Sequence, residues 1–153
     1  MNILLHFFLN YLVIELVFGN AWAYAPIIFV FSILIDLDHI PYTLKTGRSL
    51  AKKRFGSESR TRFHEMYGLA LVSIIISVSS LFLETALVQV IALSLILHLA
   101  ADFFLGKTRP LYPISKKEVF LGFCEQKYRI PLETVLTLIL GGLVWLNMAS
   151  FVL

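Results

Sequence analysis

"TALVQVIALSLILHLAADFFL" (residues 85–105) is an apolar run that carries one histidine and one aspartate towards its end. A helix needs roughly 20 mostly apolar residues to cross a bilayer, and this run supplies that length. His98 and Asp102 stand at i and i+4, so both project from one face of the helix. Ionisable groups inside a membrane span are costly and mark functional sites by default. The stretch therefore predicts both a spanning helix and a polar site close to one of its ends.

The rest of the chain reads the same way. Of 153 residues, 58% are hydrophobic and 15% charged, with mean hydropathy +0.82. A soluble domain of this length cannot hide so much apolar surface. Four further stretches match a membrane span, at about 2–18, 21–40, 64–83 and 132–153, the first of them short and carrying Glu15. The expected fold class is all-α: a polytopic integral-membrane bundle of about five transmembrane helices, forming a single domain over 1–153. Cys124 is the only cysteine, which excludes an intrachain disulfide framework. No Lys or Arg precedes the first apolar run, so it reads as a permanent helix and not a cleaved signal.

Charge sets the expected orientation. All 13 basic residues fall in two stretches, Lys45 to Arg62 and Lys107 to Arg129. With five spans, the loops 43–62 and 107–131 share one side of the membrane with the N-terminus. The positive-inside rule assigns that side to the cytoplasm, N-terminus in and C-terminus out. The same clusters suit contact with anionic membrane lipids, and they contain no nucleic-acid-binding motif, so nucleic acid is not an expected partner. Loop 43–62 is polar and Gly/Ser-punctuated. In loop 107–131, Pro110 and Pro113 break any helix, and alternating Val119, Leu121 and Phe123 predict a short extended or hairpin-like element.

On this topology the polar residues converge. His6 lies near the start of the first span, and "IDLDHIPY" (35–42) ends the second with Asp36, Asp38 and His39. His64 and Glu65 open the third span, and His98 and Asp102 approach the end of the fourth. Alternate helices run in opposite directions, so all of these reach one level, at the cytoplasmic face. Asp36 and His39, at i and i+3, share a helix face, whereas Asp38 joins only if the last turn unwinds before Pro41 or serves by holding an imidazole. Ligation by His and Asp without thiolate suits zinc, manganese or iron(II), and the excess of carboxylates favours a pair of ions over one. The plainer reading is a network of hydrogen-bonded His–Asp pairs with no metal.

The segments "ILIDLDHI" (33–40), "RTRFHE" (60–65) and "HLAADFFLG…RPLYP" (98–113) resemble the YdjM-like family of inner-membrane, metal-dependent hydrolases. The resemblance covers residues 6 to 113 and implicates His6, Asp36, Asp38, His39, Arg60, His64, His98 and Asp102. Departures fall at Ile35, Ser59, Phe63, Glu65 and the "FFLGKTR" segment, which leave the principal ligand set intact.

What the resemblance implies is a metal-dependent hydrolase whose pocket opens at the cytoplasmic interface. His6, Asp36, His39, His64, His98 and Asp102 would hold one or two divalent ions, which activate water for attack. Asp38 or Glu65 would take the proton. Arg60, Arg62 and Arg109 would form a rim whose guanidinium groups pair with phosphate, giving a phosphoester-bearing lipid as the expected substrate. Glu65 does not begin a His-Glu-x-x-His motif, because Gly68 stands where the second histidine would be. A rival expectation is a metal-binding membrane protein without catalysis, such as a sensor, carrier or partner-binding subunit. Small residues at Ala70, Ser73, Ser77, Ser79 and Ser80 permit close packing within one bundle or between copies in a homo-oligomer.

Overall fold

The computed structural model describes residues 3–38, 40, 65–121 and 128–150. Loop 43–62 lies outside these, and with it His39, Arg60, Arg62 and His64 among the expected site residues. Among the described residues the α-helices are, in order, α1 (Ile3–Phe18), α2 (Ala21–Leu34), α3 (Met66–Ser79), α4 (Thr85–Leu105) and α5 (Arg129–Ser150). A short 3-10 turn, Ile35–Asp38, follows α2. No strand occurs among the described residues. In the described part of the expected hairpin-like element, Thr108 and Val119 form an antiparallel bridge, exchanging backbone hydrogen bonds of 3.0 and 2.8 Å, while Phe123 lies outside the described residues.

The α1–α2 corner shows how local chemistry sets the fold. Gly19 takes a left-handed φ of 66° and donates its N–H to the Glu15 carbonyl at 2.7 Å, closing α1. The Glu15 carboxylate then accepts the Ala21 N–H at 2.7 Å, capping α2 from the preceding helix. An acid at a helix N-terminus satisfies an orphan donor and complements the dipole. Glu15 is thus a partnered group of the bundle.

Three boundaries differ from expectation. Within the span expected over 21–40, α2 ends at Leu34, where the chain tightens into the 3-10 turn that carries Asp36. The span expected over 64–83 is regular only across Met66–Ser79. Ser73, Ser77 and Ser80 return their hydroxyls to carbonyls three or four residues back, a habit that weakens a helix end. Helix α5 begins at Arg129, inside the expected loop, because Pro131 is tolerated in a first turn whose N–H groups lack helical partners anyway. Arg129 Nε also bonds Glu133 Oε1 one turn on, at 2.7 Å.

Helices α4 and α5 are long and apolar enough to cross a membrane. The 14-residue α3 rises about 21 Å, short of the roughly 30 Å hydrocarbon core. Helix α1 packs against α2, α4 and α5, while α4 also packs against α2 and α3. The apolar core is Tyr11, Ile14, Ala21, Ile28, Val90 and Val144. Large apolar side chains also face outward, including Leu16, Ile74, Leu138, Trp145 and Leu146. Meanwhile His6, Asn10, Ser32, Ser94, His98 and Asp102 are buried. Burying this many polar side chains while exposing this many large apolar ones reverses the habit of a soluble domain.

The α1–α5 contact yields one expected result. A Cβ on Gly141 would stand 2.9 Å from the Phe8 ring, whereas one on Gly142 would meet nothing within 4 Å. Gly141→Leu should therefore destabilise the bundle by about 1–3 kcal/mol through overpacking. Gly142→Ala should leave it unchanged or slightly firmer. Thermal unfolding of the two variants in detergent checks the contrast.

Candidate metal centre

Three helices place the central residues. His6 comes from the first turns of α1, Asp36 from the 3-10 turn after α2, and His98 from the last third of α4. One ligand atom from each lies within 4.8 Å of the others. Both histidines are fully buried, and Asp36 is nearly so, with 13% of its side chain exposed. The imidazoles stack with ring centroids 3.8 Å apart and planes 11° from parallel.

The tautomer of His98 follows from its neighbour. His98 Nδ1 lies 2.7 Å from the Ser32 backbone carbonyl. A carbonyl oxygen can only accept, so Nδ1 carries the proton. In the neutral ring, Nε2 then presents a lone pair, 3.5 Å from Asp36 Oδ1. Two electron-rich atoms at that distance repel unless positive charge lies between them. An extra proton would serve, and so would a metal ion. Two ligands bound at about 2.1 Å with a tetrahedral angle stand about 3.4 Å apart, so the observed separation suits an ion shared by both. A ligating histidine commonly donates its other N–H to a backbone carbonyl, as His98 does here.

His6 adds to this. Neither of its ring nitrogens has a hydrogen-bond partner among the described residues, although the side chain is fully buried. Leaving a buried polar group unsatisfied costs about 1–3 kcal/mol, and an ion at the centre would remove that cost. The donor set of two imidazoles and one carboxylate fits a divalent ion. Asp102 is 2% exposed, and its Oδ1 lies 3.7 Å from His6 Nε2. It stands beside His6, next to the three-residue group.

The polar seam continues inward from the centre. Asn10 donates to Ser32 Oγ at 2.7 Å and to the Ser94 carbonyl at 3.1 Å, tying α1 to α2 and α4. Ser32 Oγ donates to the Ile28 carbonyl at 2.6 Å. These three residues escape a reading of each helix by itself, yet their spacing carries a signal. His6 and Asn10, Ser32 and Asp36, and Ser94, His98 and Asp102 all recur at intervals of four, which stacks the α1 and α4 residues on one face of their helices.

The remaining expected residues divide. Glu65 is 4% exposed, directly precedes α3, and accepts the Arg109 backbone N–H at 2.9 Å. That bond ties the start of α3 to the segment after α4, and Glu65 is not part of the three-residue group. The Arg109 guanidinium lies over the Tyr112 ring, 4.7 Å from its centroid. Asp38 belongs to the 3-10 turn that carries Asp36. His39, His64, Arg60 and Arg62 lie outside the described residues. In comparisons with known proteins, no family model, no curated protein and no solved structure matches the chain.

Proposed function

We propose that the chain is a five-span membrane protein, N-terminus in and C-terminus out, that works as a metal-dependent hydrolase at the cytoplasmic interface. His6, Asp36 and His98 hold a divalent ion, and Asp102 beside His6 serves a second ion or orients the first. The reading is supported chiefly by one observation: His98 Nε2 and Asp36 Oδ1 stand 3.5 Å apart while Nδ1 is committed to the Ser32 carbonyl. The likeness of "IDLDHI" (35–40) and "HLAADFFLG" (98–106) to the YdjM-like pattern supports hydrolysis as the activity. The basic residues Lys107, Arg109, Lys116 and Lys117 follow α4 closely and suit an anionic headgroup. A phosphoester-bearing lipid is accordingly the proposed substrate class. The ion would supply Lewis acidity and an activated water, while the chain's residues hold it and exclude bulk solvent through their burial.

The test uses full-length protein purified in detergent. Elemental analysis should find zinc, manganese or iron in stoichiometric amount. Stripping the metal should abolish release of headgroup or phosphate from a panel of lipid phosphoesters, and reloading should restore it. Activity that survives complete metal removal overturns the mechanism. Stoichiometric metal with no hydrolysis of any lipid overturns the enzymatic reading in favour of a sensor, carrier or partner-binding subunit.

A further inference from the structure

Beside the metal centre, α2, α3 and α4 enclose a cavity of about 450 Å³. One end is lined by Ile35, Gly68 and Leu95. Each of these is a near neighbour in sequence of a polar residue of the centre or its surroundings. Ile35 adjoins Asp36, Gly68 is three residues from Glu65, and Leu95 is three from His98. The other end is lined by Ser79, Leu83 and Val88, at the far turns of α3 and α4. Among the described lining residues only Ser79 has a polar side chain. Leu34, Ile75 and Leu83 are about half exposed and also line the cavity, so it opens on the outer surface of the bundle.

Length and charge select the occupant. Along α3, Gly68 and Ser79 stand about 16 Å apart at the helical rise. One leaflet's share of the hydrocarbon core is about 15 Å. A slot of that length, lined almost wholly by apolar side chains and open to the side, matches a single extended acyl chain. The end next to Asp36 and His98 is also the end where Lys107 and Arg109 leave α4, with the Arg109 backbone bonded to Glu65. Its opposite end adjoins Glu84. With a divalent ion held by the carboxylate and imidazoles of the proposed centre, an anionic amphiphile has one favoured direction, its chain along α3 and its headgroup at the end of the ion, Lys107 and Arg109.

We infer that this groove binds one acyl chain of an anionic membrane lipid and so positions the headgroup linkage at the His6–Asp36–His98 centre. The inference rests on the proposed membrane hydrolase and adds the part of the substrate that the metal centre cannot recognise. It also makes the α2–α3–α4 face a chain-length gauge. A chain longer than the slot meets the end of α3 and the turn after it, where Ser79 and Leu83 stand.

The experiment uses full-length protein in detergent and a set of single-chain anionic lysophospholipids of graded length, each with a photoreactive group mid-chain. In the native protein, crosslinks should concentrate on Val72, Ile76 and Ile91, which line the middle of the groove. Val72→Trp should lower the yield by about tenfold, the loss expected when two methylenes leave an apolar site. Ser79→Phe should weaken binding of the longer chains while leaving the shorter ones unchanged. A merely misfolded variant would lose all lengths alike, so the shift in length preference is the decisive readout. Crosslinks spread evenly over outward residues such as Leu138 and Leu146 overturn the inference. Metal content is measured on the same samples. Crosslinking that persists in protein without metal leaves the groove standing and removes the hydrolase, whereas metal without localised crosslinks does the reverse.

Discussion

His98→Ala should remove metal binding, lowering affinity for the best-fitting ion by more than about 100-fold, since losing even an outer partner of a ligand costs 10–100-fold. The residue would supply one of the three proposed ligands, and its Nδ1 meets the Ser32 carbonyl. The substitution also empties a fully buried site, at a cost of some kcal/mol that does not depend on metal. The two effects separate in a thermal melt. With metal at a hundred times its Kd, the native protein should gain about 2.7 kcal/mol of stability over its stripped form. The variant should melt lower than the native protein and keep no more than about 0.4 kcal/mol of that gain. If His98→Ala keeps the native gain, the ion lies elsewhere and His98 is not its ligand.

The convergence of His6, Asp36 and His98 is legible from alternation alone. Helices that reverse at each turn return residues 6, 36 and 98 to one level, whatever their separation along the chain. The i, i+4 spacing of His98 and Asp102 correctly puts both on the buried face of α4, since each is at most 2% exposed. It does not say that they part company, His98 approaching Asp36 and Asp102 approaching His6. That division depends on the rotation of α1 and α2 about their axes, which is decided by side-chain packing across the core and not by either helix's own pattern.

Other features are hidden for definite reasons. Asp36 is expected on a regular helix, but the turn tightens to 3-10 and alters which residues project together. Glu65 is expected to take a proton because it opens the third span at the level of the other polar residues. Its observed bond goes to a backbone N–H supplied by the segment after α4, a partner 44 residues away that no local pattern announces. Asn10, Ser32 and Ser94 escape notice because a single Asn or Ser in an apolar helix is commonplace in isolation. Only the repeated interval of four, read across three helices together, distinguishes them from scattered polar residues.

That overlooked seam leads to the second large effect. Asn10→Leu keeps much of the side-chain volume and removes a buried amide that donates to Ser32 Oγ and to the Ser94 carbonyl. In the proposed membrane bundle, where interhelical hydrogen bonds contribute only about 0.6 kcal/mol on average and up to roughly 1.7, the stability loss should be small. The effect on metal should be larger. Ser32 links Asn10, through its hydroxyl, to His98, through its carbonyl. Ser94 sits one turn before His98 on the same helix face. On the proposed reading Asn10 would position a ligand it does not touch, and its loss should lower metal affinity by about 10- to 100-fold. Ser32→Ala removes the hydroxyl half of the same link while leaving the carbonyl in place. If Asn10 acts through Ser32, the two substitutions together should cost less than the sum of their separate effects on metal affinity, with a coupling of about 0.5–3 kcal/mol. Strict additivity would mean that Asn10 holds the helices together and does nothing more for the ion, and the seam would then be structural.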